Sequence, residues 1–165
     1  MADTIENNAT AIETGKPKPI FKFFNDPKAD VTIKATGFYD AEGMLVVLLP
    51  GEATDADIED WGKFVFEFVF SPVPYDRLVE YRKNALAQSD NGAAYIDESE
   101  LRKELWANHL KDWNLTDAEG AKVELRHTPE ETLAPESEEL LYQLPPTLID
   151  TIITLYERKM GILMR

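Results

Sequence analysis

The sequence predicts an α+β fold, with an antiparallel β region toward the N-terminus and then a helical part of about four helices that includes a small Trp-turn-Gly hairpin. Three observations carry this. From Ile20 to Leu49 apolar residues come in short bursts between turn residues. Phe64, Phe66, Phe68 and Phe70 then fall at period two, which puts four phenyl rings on one face of a strand. After Pro74 the apolar spacing changes to three and four, the period of a helix. The chain has 165 residues, enough for one domain with a real core, since at about 150 residues folding buries roughly 68–70% of the unfolded surface.

Ala2 to Lys18 holds only two large apolar residues, Ile5 and Ile12, and runs through Pro17 into Pro19, so residues 1–18 read as a disordered N-terminal arm. Residues 19–165 read as a single α+β domain, β-rich over 19–70 and helical over 74–165. Ile20 to Phe24 behaves as a first strand. Asp40 to Gly43 supplies a turn that joins Val31 to Tyr39 with Met44 to Leu49 as a hairpin. Thr54 can cap a short helical turn whose first residues, Asp55 and Asp57, suit the helix dipole. The Phe stripe reads as a core face, with Val65, Glu67 and Val69 on the other side.

Tyr75 to Gln88 spaces Leu78, Tyr81, Ala85 and Leu86 as one helix, stopped by Ser89 to Gly92. Asp97 with Glu100 three residues later resembles a capping box, and the helix it opens carries Leu101, Leu105, His109 or Leu110 and finally Trp113 on its inner side. Trp113 to Leu125 reads as a short strand, a Gly120 turn and a returning strand. Thr128 followed by Pro129, Glu130 and Glu131 is a helix-start signature, with Leu140, Leu141 and Leu144 giving an apolar face before Pro145. Thr147 to Met160 is the last helix, and the tail Arg158 to Arg165 is basic and apolar.

The formal charge is −14, from 17 Lys and Arg against 31 Asp and Glu. Such a surface repels nucleic acid and an anionic membrane face, so neither is expected as a partner. With no cysteine there is no disulfide framework, thiolate metal site or Cys nucleophile. The N-terminus lacks an apolar signal region, and Leu148 to Tyr156 is too short and too interrupted to span a bilayer, which leads to the expectation of a soluble cytoplasmic protein.

Catalytic constellations are sparse. His109 and His127 have no ligand spacing beside them and read as structural. The glycines form no phosphate-binding loop and no nucleophile elbow. Asp55, Asp57, Glu59 and Asp60 resemble a calcium loop only in part, because Asp60 and Phe66 stand where Gly and Glu are needed. No catalytic residue, cofactor or metal is therefore expected, and a binding role remains. A metal-dependent hydrolase built on the acidic residues is the enzymatic alternative, and a DNA mimic is disfavoured because the acids are spread along the chain.

The order of elements adds one more reading. A strand followed by Pro74 to Arg82, a second helix running into Lys111 to Leu125 with Asp117 and Gly120 in its turn, a Thr128-Pro129 start, and a final helix opened by Leu144 to Ile153 together resemble the tail assembly chaperones of long-tailed bacteriophages, over roughly residues 64–157. The resemblance implies a non-enzymatic factor of the host cell cytoplasm. Such a factor binds the tape-measure protein, keeps it soluble and assists tail-tube assembly, and is absent from the finished particle. The implied partners are tape-measure and tail-tube proteins, with a second copy of the chain as a further candidate. By this analogy the client surface is apolar and rimmed by acid; Trp113, Leu115, Leu148, Ile152 and Tyr156 are candidates for the core or for a partner interface, and Met160 and Leu163 of the apolar tail either pack on the body or bind a partner. The alternative is a structural or adaptor component that stays in a phage particle.

Overall fold

The computed structural model describes residues 29–49 and 62–162. The expected arm, the strand from Ile20, the Thr54 cap, the acidic stretch 55–60 and Leu163 lie outside these residues. Within them the α+β class holds. Strands β1 (Val31–Tyr39), β2 (Leu45–Leu48), β3 (Phe64–Phe70) and β6 (Leu110–Trp113) form an antiparallel sheet in the order β2-β1-β3-β6. Helices α1 (Tyr75–Asn84), α2 (Glu98–His109), α3 (Pro135–Tyr142) and α4 (Pro146–Met160) follow, with a two-stranded β4 (Leu86–Gln88) and β5 (Ala94–Ile96) hairpin between the first two.

Register follows from the Phe stripe. Ile33 lies opposite Phe68 and Ala35 opposite Phe66. Gly37 must be glycine, because a Cβ there would stand 2.6 Å from the Phe66 ring. The stripe is core only at one end: Phe68 and Phe70 are fully buried, Phe66 is half-buried and Phe64 is 46% exposed. The helices cover the end of β3 where Trp106 meets Phe68 edge-on at 5.8 Å and Tyr156 stacks on Phe70 at 4.3 Å, so the start of the strand is left bare.

One turn recurs four times. In each, the first residue's N–H donates to the fifth residue's carbonyl, and the fourth residue's N–H returns to the first residue's carbonyl. The four turns begin at Asp40, Ser89, Asp117 and Thr128. This is a type I turn closed by a left-handed residue. That residue is Gly43, Gly92 or Gly120 in the first three, at φ 78°, 80° and 84°. The two Asp-Ala-Glu-Gly copies also share a side-chain brace, since Asp40 Oδ1 accepts from the N–H of Glu42 and Met44, and Asp117 Oδ1 accepts from those of Glu119 and Ala121.

The fourth turn departs from expectation. Thr128 to Glu131 is no helix start, because Leu133 bridges back to His127 and its N–H donates to the Ala107 carbonyl, which forces the chain to reverse. Helix α3 begins later, at Pro135. Glu131 occupies the left-handed position, at φ 64°, without the freedom of glycine. Glu131→Gly is therefore expected to stabilise the protein by about 0.5–1 kcal/mol, whereas Gly120→Ala costs about 1 kcal/mol or more. Urea denaturation midpoints check the opposite signs.

Two further boundaries move. The expected helix to Gln88 stops at Asn84, because Leu86 to Gln88 pair with Ile96 to Ala94 across the Gly92 turn, and Leu86 is left 61% exposed. Helix α2 stops at His109, so Trp113 closes a strand rather than a helix, with Phe68 as its register partner. Asp97 caps α2 as expected, accepting from the N–H of Ser99 and Glu100, and the Ser99 hydroxyl bond holds its carboxyl below the usual range. Glu100 does not close the box, since it pairs with Lys103 while the Asp97 N–H donates to the Ala85 carbonyl. Helix α4 ends in a Schellman motif: Gly161 is left-handed, and the Ile162 N–H donates to the Glu157 carbonyl at 2.8 Å. Ile162 is thereby folded back and buried, so this part of the apolar tail packs on the body.

Candidate functional site: a groove between three helices

Helices α2, α3 and α4 bound a groove of about 710 Å³, within the range of binding clefts. Three features of the sequence build it. The Asp97 cap fixes the start of α2, which lays Trp106 and Ala107 along the floor. Pro135 starts α3, which brings Leu141 and Tyr142 to one wall, and Pro145-Pro146 turns the chain so that Ile149 and Ile153 of α4 form the other. Tyr142 stands 73% exposed beside this apolar floor.

The rim is acidic: Glu98, Glu100, Glu104, Glu138 and Asp150 against Arg102 and Lys103. Both cations are engaged. Arg102 grips Glu157 with two bonds, at 3.2 and 3.0 Å, reaches Thr154 Oγ1 at 3.3 Å and lies 3.7 Å from Asp150. Glu157 is 3% exposed, and its bonds raise the guanidinium pKa above the ordinary value. Lys103 is held by Glu100, whose bond likewise raises the ammonium. Glu104 bonds only to the neutral amides of Asn84 and Asn108, and no cation stands at ion-pair distance from Glu98, Glu104 or Glu138 among the described residues. Trp106 is 6% exposed, and its Nε1 is the one buried side-chain polar atom among the described residues without a hydrogen-bond partner.

No protein-family model, curated protein or solved structure matches the chain. The groove must therefore be read on its own chemistry.

The residues expected to contact a partner are mostly elsewhere. Trp113, Leu148, Ile152 and Tyr156 are buried in the core, the first of the two places expected for them. Trp113 Nε1 donates to the Val123 carbonyl at 2.6 Å, which closes the small Gly120 hairpin. Tyr156 donates its hydroxyl to the Ser71 carbonyl at 2.6 Å, and burial pushes its phenol pKa up. Leu115 and Met160 are half-buried at the edge of the core. On α4 the groove is lined by Ile149, which is half-buried, and by Ile153, which is 0% exposed and is itself part of the core. Trp106 and Tyr142 were not among the expected residues, although Tyr142 beside Leu140 and Leu141 on a short helix is a signal that could have pointed to it.

Both histidines are built into the fold. His109 sits between Ser71 Oγ at Nδ1 and Tyr81 OH at Nε2, each at 2.9 Å, and burial lowers its pKa to about 4. His127 Nε2 donates to the Leu110 carbonyl at 2.9 Å. Among the described residues no group of three or more His, Asp or Glu is placed to hold a metal ion, and no helix is long and apolar enough to cross a membrane.

Proposed function

We propose that the chain is a non-enzymatic, protein-binding assembly factor, a phage tail assembly chaperone that holds an apolar segment of a tape-measure protein in the α2–α3–α4 groove. In the host cytoplasm it would keep that client soluble while tail-tube subunits assemble. One observation carries the binding reading: between the helices, exposed Tyr142 and half-buried Leu144 and Ile149 stand over buried Trp106, Leu141 and Ile153, under a rim of carboxylates, on a chain of net charge −14. The order of motifs described above supplies the phage context. The engagement of His109 and His127 in structural hydrogen bonds favours binding over catalysis.

The test is co-expression of the full chain with the tape-measure and tail-tube proteins of the same phage, scoring soluble tape-measure protein. Wild type is expected to solubilise it. Tyr142→Glu, which places a charge beside the groove floor, is expected to abolish this, and Tyr75→Glu, equally exposed but outside the groove, leaves it intact. Failure of wild type to retain any tail protein, with the chain found instead in purified particles, overturns the proposal in favour of a structural component. Truncation of residues 158–165 is a poor probe, because it removes Ile162 and the cap of α4.

A further inference from the structure

Helices wall the groove, and this restricts what can lie in it. Within α2, α3 and α4 the backbone N–H and C=O groups pair along each helix, so the walls offer no strand edge. An extended peptide would leave its own amides unpaired over an apolar floor, whereas a helix brings its backbone hydrogen bonds with it. Along α2 the groove runs from Glu98 to Ala107, about 14 Å or two and a half turns, which matches apolar residues at i, i+3 or i+4 and i+7 of one helical face.

Charge sets the rest of the partner's character. The two groove cations are tied to Glu157 and Glu100, while Glu98, Glu104 and Glu138 have no cation at ion-pair distance among the described residues. We infer that the groove receives an amphipathic helix of a partner protein, about three turns long, with large apolar residues on one face and Lys or Arg flanking them. This rests on the proposed reading of the groove as the client site and names the chemistry of the segment it takes.

Two fluorescein-labelled synthetic helical peptides test it by anisotropy on the full-length protein. Both are about 18 residues long, with Leu on one face, and carry either Lys or Glu on the flanks. Wild type is expected to bind the Lys peptide at least about tenfold more tightly than the Glu peptide, with the margin shrinking as salt rises. Glu98→Lys with Glu138→Lys is expected to reverse the preference. Glu42→Lys with Glu119→Lys makes the same change of net charge in exposed turns outside the groove and is expected to leave it intact. Equal binding of the two peptides by wild type overturns the inference, as does an equal response to the two pairs of substitutions, which would mean attraction by overall charge alone. If the peptides discriminate as expected but no tail protein is solubilised, the phage reading falls and the inference stands. If the tape-measure protein is solubilised and the peptides are not discriminated, the inference falls and the phage reading stands.

Discussion

Replacing Arg102 with Met lowers the stability of the protein by about 2–4 kcal/mol, somewhat less than the loss of one partner from a fully buried ion pair, because the Glu157 side chain is 5% exposed but that of Arg102 is 25% exposed. The guanidinium spans α2 and α4 through two bonds to Glu157 and one to Thr154. Glu157 is 3% exposed, so without Arg102 its carboxylate is left out of water with no other cation at ion-pair distance among the described residues. The same argument makes the pair replaceable as a unit: Arg102→Met with Glu157→Leu recovers most of the loss, because no charge then remains buried. Urea denaturation of the two single variants and the double variant checks this. A loss below about 1 kcal/mol in Arg102→Met would show that the pair behaves like an exposed one.

The second large effect appears on acidification. His109 is neutral in the fold because burial lowers its pKa to about 4, with the nearby Arg77 charge acting in the same direction. Unfolded, the ring returns to about 6.5 and binds a proton first. The unfolded state therefore carries more protons between these values, and stability falls as pH drops from about 6.5 to about 4. The limit set by that interval is about 3 kcal/mol. Acidification also protonates carboxylates, so the comparison must be with His109→Gln, which removes the imidazole and keeps a polar side chain beside Ser71 and Tyr81. Denaturation midpoints at pH 7, 5.5 and 4 are expected to fall more steeply for wild type than for His109→Gln. Parallel slopes would show that the ring charges in the folded state without penalty.

The elements legible in the sequence were those set by neighbours in the chain. The β1–β2 hairpin follows from alternation around Asp40 to Gly43, and the start of α2 from the Asp97 side chain reaching the N–H groups just after it. The last helix follows from its spacing and from Gly161 beyond it. Each depends on contacts within a few residues. The misplaced boundaries are those where a distant strand competes. Leu86 to Gln88 could extend a helix on local grounds, and the pairing with Ala94 to Ile96 prevents it. Thr128-Pro129 could start one, and the bond from Leu133 to the Ala107 carbonyl, across α2, turns the chain back instead.

The site follows the same division. Composition alone made the chain acidic and set no cysteine in it, and periodicity alone gave α4 an unusually wide apolar face. What a one-dimensional pattern lacks is the direction from which each part of that face is covered. The sheet and the other helices take Leu148, Ile152, Ile153 and Tyr156 into the core, while Ile149 stays half-buried at the groove, and the groove exists only because residues from 98 to 153 meet there. Sequence by itself thus determined the elements that local hydrogen bonds and spacing fix, the β1–β2 hairpin, the Asp97 cap of α2 and the last helix, together with the sign of the net charge. Only the tertiary structure decided which apolar residues form the core and which line an open groove, because burial depends on how segments far apart in the chain pack against each other.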